Sequence, residues 1–118
     1  MSAALQNYLR TYRKRAGLSQ DELAFLLGSR SGAKVCRYEH LARRPNLRTA
    51  FAYEVIFRAP ARELFAGLYQ KVEKRTLGRA RLLAEKLSAA KPDRITARKL
   101  AALRGLFFAT GVGSSEKP

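Results

Sequence analysis

The sequence contains one cysteine, Cys36, and one histidine, His40. A single cysteine cannot close an intramolecular disulfide or supply a multi-cysteine zinc site. A single histidine argues against a metal centre or a histidine-dependent catalytic site. Acidic residues are scarce: 9 Asp and Glu stand against 24 Lys and Arg, for a formal net charge of +15. No apolar run approaches the ~20 residues of a membrane span. The opening stretch MSAALQNYLRTYRKR has no signal-peptide core. Strand signals are poor, and neither an internal repeat nor a low-complexity tract is visible. No nucleophile and base stand together as an enzyme would need, and no cofactor signature is present. The expectation is a soluble cytoplasmic protein, not an enzyme, with no cofactor, metal or membrane partner.

What remains is helical and basic. A chain of 118 residues suits one compact domain plus an extension, and a hydrophobic fraction of 47% is too high for a disordered chain. The positive charge is spread along the sequence. Residues 1–60 carry 11 basic and 4 acidic side chains, and residues 61–118 carry 13 and 5. Solubility alone needs a net charge of only about 2 to 8 on a small domain. The excess attracts polyanions over roughly 8 Å at physiological salt, and DNA, RNA and anionic membranes all qualify.

The apolar spacing predicts an all-α chain. Leu5, Leu9, Tyr12 and Ala16 share one face of a first helix, which Gly17 ends. Ser19 and Glu22 form a capping box, with Asp21 assigned to the same cap, for a second helix closed by Gly28. Its inner face is Leu23, Ala24 and Leu27. Ser31 caps a third helix that turns Val35 and Tyr38 inward. Asn46 caps a fourth from Leu47 to Phe57, and Pro60 fits the first turn of a fifth. Leu64, Leu68, Val72, Ala80, Leu83 and Leu87 extend an apolar stripe over 61–87, which Gly78 interrupts at a cost of ~1 kcal/mol. Pro92 breaks the chain, and Asp93 caps a last helix with Leu100, Leu103 and Phe107. The division expected is 1–70, a C-terminal helical extension over 71–110, and a disordered tail over 111–118.

Two short helices around a tight turn make a helix-turn-helix, and particular residues narrow the resemblance. Leu9, Arg13, Gly17-Leu18-Ser19-Gln20, Glu22-Leu23-Ala24, Leu27-Gly28, Val35, Arg37-Tyr38-Glu39, Pro45 and Glu63-Leu64-Phe65 recur at the matching spacing. Residues 5–70 thereby resemble the Cro and phage-repressor type of helix-turn-helix, the XRE-like family. The resemblance implies a five-helix DNA-binding domain whose third helix, 31–39, lies in the major groove of double-stranded DNA. The groove-facing positions are then Gly32, Ala33, Lys34 and Arg37, with Ser31 at the helix start. An arginine there bonds two guanine acceptors at once, worth ~1–3 kcal/mol of base discrimination. Ala33 offers a methyl contact, and Gly32 lets the backbone come close. Gln20 ties the second helix to a phosphate. Arg30, Arg43 and Arg44 contact phosphates. Arg13 and Glu39 form a structural ion pair.

The sequence departs from the family's pattern at two places. Six residues, Ser29 to Lys34, separate Gly28 from Val35 where five are usual, and Leu41 replaces the usual glycine after the glutamate. Phe25 stands at a usually polar position, so a cover by the C-terminal helices or a partner is expected. Cys36 reads as a small helix filler, and His40 as a residue of the loop or last turn. The function implied is a sequence-specific, repressor-like transcriptional regulator, nucleoid-associated and homodimeric, since two half-sites lie about one helical turn apart. An alternative is a coactivator or antitoxin-type protein whose C-terminal helices hold a partner protein. A third reading is sequence-independent binding of a polyanion through the basic stretch after Ala61.

Overall fold

Ser19 sets the start of the second helix through its side chain. Its hydroxyl accepts from the Glu22 amide at 3.0 Å, and the Glu22 carboxylate accepts from the Ser19 amide at 2.8 Å. Similar local chemistry punctuates the rest of the computed structural model, which describes residues 7–109. Leu5 and the 111–118 tail lie outside those residues. Among the described residues there are seven α-helices and no strand. They are α1 (Leu9–Ala16), α2 (Gln20–Leu27), α3 (Gly32–Glu39), α4 (Leu47–Phe57), α5 (Ala61–Leu64), α6 (Ala66–Ser88) and α7 (Arg94–Ala109). Gly17 and Gly28 end α1 and α2 at φ of 77° and 80°, a region open to glycine at little cost. Asn46 caps α4 by accepting from the Thr49 amide at 2.9 Å. No helix among the described residues is long and apolar enough to cross a membrane.

The chain divides into two compact units between Gln70 and Lys71. The N-terminal unit is built on α1–α5. Leu9, Leu23, Val35, Tyr53 and Leu64 are fully buried, with Ala24, Tyr38 and Ala59 beside them. Each large apolar side chain so removed from water contributes roughly 1.5–3 kcal/mol. Tyr53 sits at the centre, edge-on to Tyr38 at 6.2 Å and to Phe65 at 5.9 Å. Burial pushes its phenol well above the ordinary tyrosine range. Tertiary hydrogen bonds tie the chain start to this core: Asn7 donates to the Tyr38 carbonyl at 3.0 Å, and the Tyr8 amide to the Leu64 carbonyl at 2.8 Å.

The region after Arg58 differs from the sequence expectation. Pro60 precedes the helix as its N-cap, with φ −71° and ψ 152°, rather than occupying the first turn. The expected continuous helix is broken. α5 is a single turn, Phe65 departs from helical geometry at φ −117° and ψ 47°, and α6 starts at Ala66. Leu64 is fully buried and Phe65 meets Tyr53, so packing of two neighbours outweighs local helix propensity. Ala16, expected on the inner face of α1, is exposed, and Arg13 is the buried residue of that turn instead.

The C-terminal unit is a helical hairpin. α6 and α7 are joined by a short loop, 89–93, and line a shared surface groove through Arg81, Ala84, Glu85, Ser88, Leu100, Arg104 and Phe107. The Arg81 guanidinium stands 5.2 Å over the Phe107 ring. Asp93 caps α7 by accepting from the Thr96 amide at 2.7 Å, which holds its carboxyl below the usual range. Leu77 and Ala80 are the buried side chains of α6, while Val72 and Leu83 are 50% and 46% exposed. Of the expected stripe, Leu64 and Ala80 are buried and Leu68 and Leu87 half-buried, whereas Val72 and Leu83 turn outward. At about 100° per residue Val72 and Leu83 lie about 60–80° away from Ala80, at the edge of the inner face.

Candidate functional site

The side chains expected from the sequence to contact DNA lie on α3 and the segments flanking it. α3 is held against α2 by a contact that needs a glycine. The Gly32 amide donates to Asp21 Oδ1 at 2.7 Å, and Gly32 is buried. A Cβ at Gly32 would stand 2.8 Å from both Asp21 Oδ1 and the Gln20 Cβ. Gly32 therefore does not share the outward face. The close approach it permits is to the first turn of α2, and Asp21 serves the start of α3 rather than the cap of α2. Ser31 caps α3, its hydroxyl accepting from the Ala33 amide at 3.3 Å.

The far end of α3 is fixed by a buried ion pair. Arg13 Nε donates to Glu39 Oε2 at 2.6 Å, a second guanidinium nitrogen donates to Oε1 at 3.2 Å, and a third donates to the Leu18 carbonyl at 3.0 Å. The two side chains are 10% and 1% exposed. The bond to Glu39 raises the Arg13 pKa further, against the opposing effect of burial. Gln20 joins this pair: its Nε2 donates to Glu39 Oε1 at 3.2 Å. The Gln20 amide, assigned from sequence to a phosphate, is thus used inside the fold.

Opposite Val35 and Tyr38, α3 presents Ala33 and Arg37, with Lys34 on the flank next to Tyr38; all three are exposed. His40 belongs to the same outward arc, one turn beyond Arg37, and the sequence reading left it out. The spacing 33, 37, 40 is the signal that would have found it. The His40 ring nitrogen Nδ1 lies 2.9 Å from the Cys36 carbonyl oxygen and 3.6 Å from Cys36 Sγ. No third metal-ligand side chain joins these two among the described residues. Arg30, Arg43 and Arg44 flank the arc from turn and loop and are exposed.

The loop after α3 turns without glycine. Leu41 adopts φ 63°, the left-handed region that a side chain occupies at a cost of about 1 kcal/mol. The Ala42 amide donates to the Arg37 carbonyl at 2.9 Å, closing the helix end. Phe25, expected under a cover, is 80% exposed in the single chain and lines a shallow apolar groove with Leu18 and Leu26.

Electrostatically, the outward side is one-signed. The carboxylates of α2 and α3 are all engaged within the fold: Asp21 with Gly32, Glu22 with Ser19, and Glu39 with Arg13. Among the described residues, none of Arg30, Lys34, Arg37, Arg43 and Arg44 has an acidic partner within ion-pair distance. A surface lined by one sign of charge raises the local concentration of counter-ions and steers anionic ligands to it. No family model, curated protein or solved structure matches the chain.

Proposed function

We propose that residues 5–70 form a helix-turn-helix of the Cro and phage-repressor type, and that the protein is a sequence-specific double-stranded DNA-binding regulator of transcription, repressor-like and active as a homodimer in the cytoplasm. The observation that carries this reading is the α3 surface: Ala33, Lys34 and Arg37, with His40 at the helix end, are exposed, while Asp21, Glu22 and Glu39 are each hydrogen-bonded to groups of the fold. In this reading Arg37 reads guanine in the major groove and Ala33 meets a thymine methyl. Arg30, Lys34, Arg43 and Arg44 grip phosphates, each adding about 0.9 to the salt slope of log K. Gly32, Gln20, Arg13 and Glu39 set the angle of α3 instead of touching DNA.

A second reading is favoured by the apolar side chains that the C-terminal unit leaves exposed, Leu82, Ile95 and Phe108, at 66%, 60% and 70%. In it the C-terminal helices hold a partner protein, as a coactivator or antitoxin would. Selection from a random duplex library at about 150 mM salt separates the two, because affinity depends steeply on salt. The regulator reading expects a palindromic enriched site. Recovery of unenriched sequence, together with a partner protein at fixed stoichiometry, would overturn it in favour of the second.

A further inference from the structure

Four of the six cations of α6 gather on one face. On a helix of 3.6 residues per turn, Lys71, Arg75, Arg79 and Lys86 fall within an arc of about 80°. That arc lies opposite the inner face, where Leu77 and Ala80 are buried and Ala84 and Leu87 half-buried. All four cations are exposed, and none has an acidic partner among the described residues. No acidic residue falls within the arc: Glu73 lies on the inner side, half-buried, and Glu85 lies beside the arc. A solvated helix face ordinarily mixes both signs, since opposite charges four residues apart stabilise the helix by a few tenths of a kcal/mol each. Along the arc that stabilisation is forgone over the 16 residues from Lys71 to Lys86. At 1.5 Å per residue the ridge is about 22 Å long, the axial span of about six phosphates on one strand of a duplex.

We propose that this ridge is a second DNA contact, a sequence-independent clamp on the phosphates of duplex DNA. It rests on the reading that the N-terminal unit binds duplex DNA, since the continuous chain then holds the ridge at high effective concentration near the same ligand. The surface fits a duplex backbone better than other polyanions. A helix that lies on a membrane inserts a wide apolar face opposite its cations. On α6 the side chains opposite the arc, Leu77 and Ala80, are buried, and the exposed Val72, Leu82 and Leu83 lie in or beside the arc. Single-stranded nucleic acid is held by aromatic stacking, and the arc contains no aromatic side chain.

The test uses the full chain and a variant in which Lys71, Arg75, Arg79 and Lys86 are all replaced by Gln, with helicity checked by circular dichroism. Affinity for a random-sequence 30-base-pair duplex is measured from about 50 to 200 mM salt. If all four cations engage phosphates, the variant's salt slope is smaller by about 3.6, so the affinity lost across that range shrinks by about a hundredfold. The charge-preserving Lys71→Arg and Lys86→Arg variant keeps the full slope. The four single Gln substitutions each lower it by about 0.9, a readout that survives if the fourfold variant loses helicity. A slope unchanged to within about 0.5 overturns the proposal. So does a binding loss confined to phosphatidylserine vesicles or to single-stranded RNA. Selectivity for an enriched site stays intact in the Gln variant and falls about tenfold or more in Arg37→Ala. If Arg37→Ala changes no selectivity while the Gln variant loses slope, the sequence-reading role of α3 fails and the clamp stands.

Discussion

The two units of this chain spend their charged residues differently. In the N-terminal unit the charges around α3 divide into two sets. Arg13, Glu39, Asp21 and Glu22 are tied into the fold, while Lys34 and Arg37 face outward. In the C-terminal hairpin nearly all charge is on the outside, and the buried set of α6 is Leu77 and Ala80. Their glycines differ in the same sense. Gly32 is where two helices touch, whereas an added Cβ at Gly78 meets nothing within 4 Å. The first unit is specified by tertiary contacts that tolerate little change. The second is specified by its hairpin stripe, and its outer surface is free to be selected for charge.

Substitutions that separate fold from surface put this difference to the test. The largest effect is expected at Glu39. Glu39→Ala strands the Arg13 guanidinium and lowers stability by about 3 kcal/mol or more. That corresponds to a melting temperature lower by roughly 12 °C or more for a unit of this size. Arg37→Ala, two residues away and exposed, is expected to leave melting within about 0.5 kcal/mol. Equal melting losses at the two positions would remove the division of labour along α3. Next is Gly32→Ala, which drives a methyl into Asp21 and Gln20 and costs about 1–3 kcal/mol, read by urea denaturation. At the matching position of the other unit the sign reverses. Gly78→Ala fills open space within a helix and raises stability by about 1 kcal/mol. A destabilising Gly78→Ala would show that something covers that face of α6. The smallest effect is at Leu41, where Leu41→Gly relieves the left-handed backbone and raises the melting temperature by a few degrees, worth about 0.5–1 kcal/mol.

The helix ends were legible in the sequence because their chemistry is local. Ser19 with Glu22, Ser31, Asn46 and Asp93 each hydrogen-bond to an amide two or three residues on, a relation that spacing alone reveals. The partners of Gly32 and Gln20 were not legible, because they lie across a helix pair and nothing local marks them. Gly32 looked available to a ligand since a glycine permits any close approach, and only the packing shows that α2 takes it. The break at Phe65 carries no proline or glycine, so propensity runs straight through it, while contact with Tyr53 decides the geometry. Leu41 shows the converse. The backbone needs a left-handed residue at that position, and the sequence supplies one without the glycine that would announce it.

The central claim is that the outward face of α3 distinguishes one DNA sequence from another. The direct measurement is competition between the library-enriched duplex and a random duplex at about 150 mM salt, for the natural chain and for Arg37→Ala. The account predicts a preference of about a thousandfold or more for the enriched duplex. In Arg37→Ala that preference falls by about tenfold or more, with melting unchanged. Equal affinity of the natural chain for both duplexes, or an undiminished preference in Arg37→Ala, would contradict it.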